Sequence, residues 1–261
     1  MHAAEREQAI LALLGASGFV SFRELEKTLA ASPATIRRDL ERLAGEGRVV
    51  RVHGGAKLPG DATTAAPAGG LTGVPFHENI DRNRTAKEAI GRAAATLCVP
   101  GEGIIIDGGS TTLQMCPHLD GLGLQVLTNS LHIVSALLPQ ATTRITVPGG
   151  AVFREQNIIL SAAGDDLMPR FHAPKLFMGA AAVGSQGVMQ ADIILVAAER
   201  RFIERAEQVI LLVDSSKFAG SSGQVVCGLD EVDTIVTDDG LADPHRRMLE
   251  GAGIKVVIAP R

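Results

Sequence analysis

Residues 104–115, IIIDGGSTTLQM, join an apolar run to glycines and hydroxyl side chains. Three β-branched residues predict a buried strand, and the glycines that follow predict a tight turn into a helix. The first backbone N–H groups of a helix lack intrahelical acceptors, so together with hydroxyls they can bind an anion such as phosphate. The alternative is a glycine turn and a capped helix without a ligand. The predicted anion cradle comprises Asp107, Gly108, Gly109, Ser110, Thr111 and Thr112.

Three further apolar segments end in residues of similar kinds. LQVLT runs into Thr128, Asn129 and Ser130, RITVP is followed by Gly149 and Gly150, and VILLVD is followed by Lys217. Ligands of open α/β sheets collect at the carboxyl ends of the strands, so we expect these loops to line one small-molecule pocket. The Lys217 ammonium could pair with a phosphate or a hydroxyl.

Some polar residues beside this predicted pocket are open to a second interpretation. Asp107 and Asp214 each follow a strand, where an Asp often caps the next turn instead of binding a ligand. Lys87 begins the segment KEAIGRAAATL and is as well suited to a structural or solvated role.

The elements that must position these residues form three parts. Residues 1–57 contain helical segments and a β-like tail, and residues 58–75 are rich in Gly, Ala, Thr and Pro, as expected of a flexible linker. Residues 76–261 alternate apolar strands with amphipathic helices, which predicts an α/β domain with a mostly parallel sheet.

The N-terminal part predicts a helix-turn-helix. A first helix covers residues 5–15, a capping box at residues 21–24 opens a second that closes near residue 30, and Ser32-Pro33 opens a third. At 100° per residue, Ile36, Leu40 and Leu43 share the buried side of the third helix. The opposite side then carries Thr and Arg, which suit a DNA major groove. The alternative is a solvated face whose arginines pair with Asp39 or Glu41.

Residues 48–57, RVVRVHGGAK, predict a β-hairpin that forms a wing beside this helix. Basic groups on the wing would hold the phosphate backbone while the helix contacts base edges. A helix-turn-helix with a wing predicts double-stranded DNA as a partner. The candidate DNA-binding residues are Ser32, Thr35, Arg37, Arg38, Arg42, Arg51 and His53.

Composition and charge exclude several classes of protein. The formal net charge is -4, yet residues 1–57 carry nine Lys and Arg against seven Asp and Glu, so the remainder holds the acidic excess. No apolar run approaches the roughly 20 residues of a membrane span, and we expect a cytoplasmic protein. The three cysteines and seven histidines show no metal-ligand spacing, and neither a P-loop nor a dinucleotide-binding fingerprint is present. We therefore predict no metal and no cofactor.

Ordered motifs in both halves resemble one family. SPATIRRDLERL followed by RVHGGA resembles the DNA-binding domain of DeoR-family transcriptional regulators, and FHENIDRNRTAK, DGGSTT, LTNS, PGG and VDSSKF resemble their sensor domain. The resemblance implies a sensor fold like that of ribose-phosphate isomerases. It also implies a phosphorylated sugar as effector, control of DNA affinity, and a homodimer or homotetramer that represses a carbohydrate-utilisation operon.

The chain also departs from the common family pattern. Asn79 stands where an Arg is expected, and Leu195 where many members carry a Glu. The segments around residues 187–240 resemble the ascorbate-utilisation branch, which points to a sugar-acid phosphate as one candidate effector.

The rival function is a sugar-phosphate isomerase with a basic N-terminal appendage. Its candidate acid and base groups are Asp107, Asp192, Asp214 and Lys217, but none of them forms an evident acid/base pair in the sequence. An isomerase also gives no reason for a helix-turn-helix, a wing and a linker, so the sequence favours a regulator that is not an enzyme.

Overall fold

A computed structural model of the chain describes residues 3–17, 19–21, 25, 28–29, 31–52, 55–57, 76–161 and 168–260. The chain forms two compact units, Met1–Ala68 and Gly69–Arg261, and the boundary between them falls inside the segment predicted as a linker. Among the described helices, none is both long and apolar enough to cross a membrane.

The N-terminal unit contains the predicted first and third helices and the predicted hairpin. They are α1 (Ala3–Ser17), α2 (Pro33–Gly45), β2 (Val50–Val52) and β3 (Gly55–Lys57), while Leu25, Thr28 and Leu29 are helical between α1 and α2. A short strand that the sequence did not predict, β1 (Phe19–Ser21), completes an antiparallel sheet of order β1-β3-β2. The predicted capping box lies outside the described residues except for Ser21, which ends β1.

The core of this unit is the one that helical periodicity predicts. Ile36, Leu40 and Leu43 of α2 are fully buried and pack with Ile10 and Leu14 of α1. Burial of each of these side chains stabilises the unit by about 1.5–3 kcal/mol. Arg38, Glu41 and Arg42 of α2 are exposed to solvent.

The C-terminal unit is built on a seven-stranded parallel sheet, which confirms the predicted fold class. Its strands lie in the order β15-β14-β12-β9-β4-β5-β6. They span Gly103–Ile106 (β4), Gln125–Leu127 (β5), Arg144–Thr146 (β6), Ala173–Met178 (β9), Ala206–Leu212 (β12), Thr234–Thr237 (β14) and Lys255–Ile258 (β15).

Helices and smaller sheets surround this parallel sheet. The helices are α3 (Phe76–Asn79), α4 (Arg84–Ala95), α5 (Leu131–Leu137), α6 (Ile193–Ile203) and α7 (Asp243–Gly251), with 3-10 helices at Thr112–His118, Ser215–Phe218 and Leu229–Glu231. Strands β7 (Ala151–Phe153) and β8 (Ile158–Leu160) form a hairpin, and β10 (Ala182–Gly184), β11 (Gly187–Gln190) and β13 (Gln224–Cys227) form an antiparallel sheet.

Both faces of the parallel sheet are buried, as expected for parallel strands covered by helices. Along β4, Ile105 belongs to one core cluster while Ile104 and Ile106 belong to the other. The strand order runs one way from β4 to β6 and the other way from β9 to β15, so the direction of winding reverses between β4 and β9. Ligands of doubly wound sheets bind at such a reversal, beyond the carboxyl ends of the strands.

Candidate functional site

The loop after β4 lies at this reversal. Asp107 follows the strand and donates its backbone N–H to the Phe177 carbonyl of β9 at 2.9 Å. Gly108 has no room for a side chain, because an added Cβ would lie 2.6 Å from a methyl carbon of Ile158 and 3.2 Å from the Ser130 Cβ. The loop after β4 therefore packs directly against the loop after β5 and against strand β8.

The three hydroxyls of the predicted cradle have different surroundings. Thr112 is fully buried, and its hydroxyl lies 2.8 Å from the Asp107 carbonyl and 2.9 Å from the Gly109 carbonyl, so it closes the turn. Ser110 and Thr111 are also buried, but none of the hydrogen bonds described for the chain uses their hydroxyls or their backbone N–H groups. These donors remain for a ligand.

The helix predicted after the cradle is present as a 3-10 helix, Thr112–His118. Pro117 lies inside it, where proline has no N–H to donate and its ring conflicts with α-helical packing. The segment is only seven residues long, so its dipole is weaker than that of a long helix.

The loop after β5 combines two capping residues with one side chain that is not used. Ser130 is the N-cap of α5 and accepts the Ile133 N–H at 3.3 Å, while the Thr128 hydroxyl accepts the Ser130 N–H at 3.1 Å. Between them, the Asn129 side-chain oxygen is buried without a hydrogen-bond partner, 3.4 Å from the position of an added Cβ on Gly108. An unsatisfied buried oxygen is costly, so its position beside the cradle points to a ligand donor or an ordered water.

Gly149 and Gly150 lie directly before β7, the first strand of the hairpin β7–β8. Gly150 has a φ of 154°, and an added Cβ would lie 2.1 Å from the Leu160 carbonyl oxygen. The Gly149 carbonyl accepts the Ser161 hydroxyl at 2.8 Å. The close backbone approach explains Gly150, and the predicted contact of both glycines with an effector remains a prediction. The hairpin reaches the cradle through Ile158 instead.

A second group of charged residues lies where β12 ends. Asp214 caps the 3-10 helix Ser215–Phe218, accepting the Ser216 N–H at 3.1 Å and the Asn83 amide at 2.9 Å. The capping interpretation of Asp214 is therefore the one that its contacts support. Lys217 lies within that 3-10 helix and is half-buried.

Lys87 is buried close to this group. Its ammonium donates to the backbone carbonyl and the side-chain oxygen of Asn79, so the residue that stands where an Arg is expected holds this lysine in place. Burial lowers the pKa of Lys87 to about 8; the Asp214 carboxylate opposes that shift and the Lys217 ammonium adds to it. The charges of Asp214 and Lys217 thus both act on Lys87.

A cavity of about 580 Å³ opens at the ends of β12 and β14 and the start of α4. It is lined by Asn83, Arg84, Thr85, Ala86, Ala89, Asp214, Ser215, Ser216 and Asp238. Asp238 accepts hydrogen bonds from the Ser215 N–H (2.6 Å), the Ser215 hydroxyl (3.0 Å) and the Gly240 N–H (3.2 Å). The cavity includes none of the predicted effector residues, although Lys217 follows Ser216 directly.

Sequence reasoning missed Glu199, whose carboxyl is buried beside Asp107. It accepts the Gln190 side-chain N–H at 2.5 Å. Burial raises the pKa of Glu199 well above its ordinary value, and the nearby Asp107 carboxylate adds to the increase. Burial also raises the pKa of Asp107 to about 6, against the opposing effects of the Gly108 N–H and of the bond to Glu199. Burial and the neighbouring Asp107 carboxylate therefore both favour the protonated form of Glu199.

The start of α2 has the geometry predicted for it. Ser32 is the N-cap and accepts the Thr35 N–H at 3.2 Å, and the two hydroxyls lie 2.9 Å apart. Arg38 is exposed on the face opposite the buried stripe. The side chains of Arg37 and Arg51, and the whole of His53, lie outside the described residues.

Arg42 follows the alternative interpretation, in which an arginine pairs with neighbouring acids. It forms an ion pair with Glu7 and lies 3.9 Å from Asp39, which in turn accepts the Arg6 guanidinium at 2.7 Å. Half of the Arg42 side chain is still exposed, but its charge is compensated within the unit. Among the arginines of α2 whose side chains are described, Arg38 is better placed than Arg42 to contact a partner.

Comparison with known proteins assigns both units. Residues 6–61 match the DeoR-like helix-turn-helix domain, and residues 82–239 match the DeoR C-terminal sensor domain. The chain is 32% identical to the Escherichia coli K12 protein named "Uncharacterized HTH-type transcriptional regulator YgbI", over 98% of this chain and 97% of that one. It is 27% identical to the HTH-type transcriptional regulator UlaR of Shigella dysenteriae, over 98% and 99% of the two chains.

Solved structures share part of the fold. Ribose 5-phosphate isomerase A of Methanocaldococcus jannaschii matches 52% of this chain and 55% of its own, with a TM-score of 0.38 and 16% identity. The probable sor operon regulator of Shigella flexneri matches 64% and 90%, with a TM-score of 0.44 and 11% identity. These partial likenesses say nothing about what this chain binds. The two matched domains and the full-length relatives confirm the family predicted from the motifs: the chain belongs to the DeoR family of transcriptional regulators.

Proposed function

We propose that the protein is a repressor of a carbohydrate-utilisation operon, and that a phosphorylated sugar or sugar acid bound in its C-terminal unit controls its affinity for operator DNA. The observation that carries this proposal is the group of unused polar atoms at the β4–β9 reversal. Ser110 and Thr111 offer donors and Asn129 offers an acceptor, all in a buried setting where hydrogen bonds to a charged group are strong.

The charges nearby suit such an effector. The hydroxyls and N–H groups of Ser110 and Thr111 would bind phosphate oxygens, and Lys217 would supply a counter-charge. Asn129 and the Asp107–Glu199 pair would accept and donate hydrogen bonds to sugar hydroxyls. Similarity to UlaR makes a sugar-acid phosphate one compound to test beside neutral sugar phosphates.

The N-terminal unit would bind DNA through the start of α2. Thr35, Arg37 and Arg38 would face the major groove, while Arg51 and His53 on the wing would hold phosphates. A homodimer or homotetramer would place paired helices on repeated half-sites, in the cytoplasm where the operator lies. An effector changes this binding only by as much as its affinity differs between the DNA-competent and DNA-incompetent states.

A second candidate function rests on the buried pair Asp107 and Glu199. Enzymes use buried carboxyls with raised pKa values for proton transfer, so a sugar-phosphate isomerase is the alternative. Asp192 and Asp214, which the sequence also offered as acids, cap α6 and a 3-10 helix instead. Conversion of ribose 5-phosphate to its ketose by the purified protein would support the alternative.

The proposal is tested by fluorescence anisotropy of labelled upstream DNA at two salt concentrations. The panel comprises ribose 5-phosphate, fructose 6-phosphate, 6-phosphogluconate and inorganic phosphate. Salt-sensitive binding that one compound changes would support both parts of the proposal. Equal affinity for upstream and random DNA, with every compound, would contradict it.

Arg38→Ala is expected to weaken DNA binding about tenfold or more, because a base or phosphate contact to arginine contributes about 1–3 kcal/mol. Arg42→Ala is the matched control, since its charge is already compensated by Glu7, and it should change the affinity by less than about threefold. Equal losses in the two variants would remove the proposed DNA-binding face.

A further inference from the structure

Phe76 is the first described residue after the segment 58–75, which separates it from the helix-turn-helix domain in the chain. Both its side chain and its backbone N–H contact other residues of the C-terminal unit. Its side chain is 3% exposed, and its ring stacks on His132 with centroids 4.1 Å apart and planes inclined by 11°. Its backbone N–H donates to the Glu155 carbonyl in the turn between β7 and β8 at 3.2 Å. The first described residue of the C-terminal unit is thus attached to the hairpin and to α5.

The same turn holds the first residues of α5. Asn157 has a left-handed φ of 52°, and its side-chain nitrogen lies 3.0 Å from the His132 Nε2. Its carbonyl accepts the Leu131 N–H at 2.9 Å. Phe76, His132 and the hairpin turn therefore form one packed cluster, within which a displacement of the hairpin shifts the ring stack.

The hairpin continues from this cluster into the cradle. Ile159 donates its N–H to the Asn129 carbonyl at 2.7 Å, and Ile158 forms an antiparallel bridge with Ser130. Ile158 is 2% exposed, and its methyl carbon occupies the space above Gly108. A ligand that bonds to Ser110, Thr111 and the Asn129 side chain would share this space with Ile158.

We propose that the hairpin β7–β8 and the Phe76–His132 stack transmit effector binding from the cradle to the segment that leads to the DNA-binding domain. This inference rests on the proposed function and names its route of regulation. Packed interiors change between discrete arrangements and do not stretch continuously, so a ligand that moves Asn129 or Ile158 must reposition the turn at Glu155 and Asn157. Phe76 then changes the point at which the preceding segment is fixed.

The test measures ligand affinity and the resulting change in DNA affinity separately. Full-length wild type, Phe76→Leu and His132→Leu are compared for DNA affinity by anisotropy and for ligand affinity by calorimetry, with the compound of the panel above that most changes wild-type DNA affinity. We expect that compound to change wild-type DNA affinity by about 10-fold to 100-fold. In both variants the change should fall below about twofold, while ligand affinity stays within about threefold of wild type.

Three further variants guard against a loss of folding. Asn157→Gly keeps the left-handed backbone but removes the amide next to His132, so it should reduce the response without removing a buried ring. The double variant Phe76→Leu with His132→Leu should lose no more response than either single variant, as expected of two residues that act as one unit. His245→Leu breaks the other described stack, with Phe218, and should leave the response unchanged.

Three outcomes would overturn this inference, and one of them would also overturn the proposed function. A full response in Phe76→Leu, His132→Leu and Asn157→Gly would overturn this inference and leave the proposed function standing. A wild type whose DNA affinity changes with none of the compounds would overturn the proposed function, and this inference with it. A response that His245→Leu reduces as strongly as His132→Leu would show a general effect of softening the unit, and would also overturn the inference.

Discussion

Two clusters of hydroxyl and carboxyl residues lie at the same edge of the parallel sheet, and they use their polar atoms in opposite ways. At the ends of β12 and β14, Asp214 and Asp238 accept hydrogen bonds from the serines and backbone N–H groups around them. At the end of β4, Ser110 and Thr111 are buried with their hydroxyls unused. We refer to these as the capping cluster and the cradle.

The difference shows that residue type alone does not identify a binding site. Both clusters carry a buried Asp after a buried strand, with serine or threonine hydroxyls close by. In the capping cluster each carboxylate closes a turn, although one oxygen of Asp214 keeps no partner. In the cradle a single hydroxyl, that of Thr112, closes the turn, and none of the described hydrogen bonds uses the other two. The unused donors distinguish a site from a cap.

The largest expected effect is on the cradle. Ser110→Ala with Thr111→Ala should lower effector affinity about 100-fold, because two hydrogen bonds to a charged ligand contribute about 1.5 kcal/mol or more each. The free energy of unfolding should change by less than about 1 kcal/mol, since neither hydroxyl is used within the chain. Calorimetry with the responding sugar phosphate and urea denaturation give the two numbers. Normal ligand affinity in this variant would place the phosphate elsewhere.

The capping cluster should show the reverse pattern. Asp238→Ala leaves the N–H groups of Ser215 and Gly240 without their acceptor, so the free energy of unfolding should fall by about 2 kcal/mol. Effector affinity should stay within about threefold of wild type, because the carboxylate is already bonded to Ser215 and Gly240. A larger loss of affinity than of stability would make the adjacent cavity part of the effector site and would break the distinction.

The smallest expected effect is a pH dependence at Lys87. In the folded protein the pKa of Lys87 is about 8, against an ordinary value of 10.5, so the unfolded chain binds more protons between these pH values. The contribution of Lys87 to the free energy of unfolding therefore rises with pH across that range and is lowest below pH 8. Lys87→Met removes it, so the variant should gain most over wild type below pH 8.

The cysteine thiols change the free energy of unfolding in the opposite direction as the pH rises, so their contribution must be subtracted. Burial raises the pKa of Cys98, Cys116 and Cys227 to about 12, which lowers stability as the pH rises above 9.0. Wild type and Lys87→Met share this effect of the thiols. The difference between their free energies of unfolding, measured by urea denaturation, therefore isolates the contribution of Lys87. A difference that stays constant between pH 8 and 10.5 would show that Lys87 is not desolvated.

Much of the fold follows from local patterns. The apolar run of β4 and the stripe of Ile36, Leu40 and Leu43 depend on neighbours a few residues apart, so local patterns predicted the buried strand and the face of α2. The 3-10 form of Thr112–His118 was missed, although Pro117 is a local cause for it. The three-residue strand β1 was also missed, because so short a segment shows no alternation.

The finer features of the site depend on contacts between distant residues. The Asp107–Glu199 pair and the Phe76–His132 stack each join segments more than 50 residues apart in the chain. Their partners come together only because the strands pair in a particular order. In the same way, the sequence could name Ser110, Thr111 and Thr112 as hydroxyls, but it could not show which one the turn itself would use.

The central claim, that the ligand binds the cradle and not the capping cluster, is tested most directly by NMR of backbone amides. The ¹⁵N-labelled protein would be titrated with the responding sugar phosphate and, separately, with inorganic phosphate. We predict saturable shifts at Gly109, Ser110, Thr111 and Asn129, with residues 214–216 and 238–240 nearly unchanged. Shifts confined to residues 83–86, 214–216 and 238–240 would contradict the account and assign the effector to the cavity beside α4.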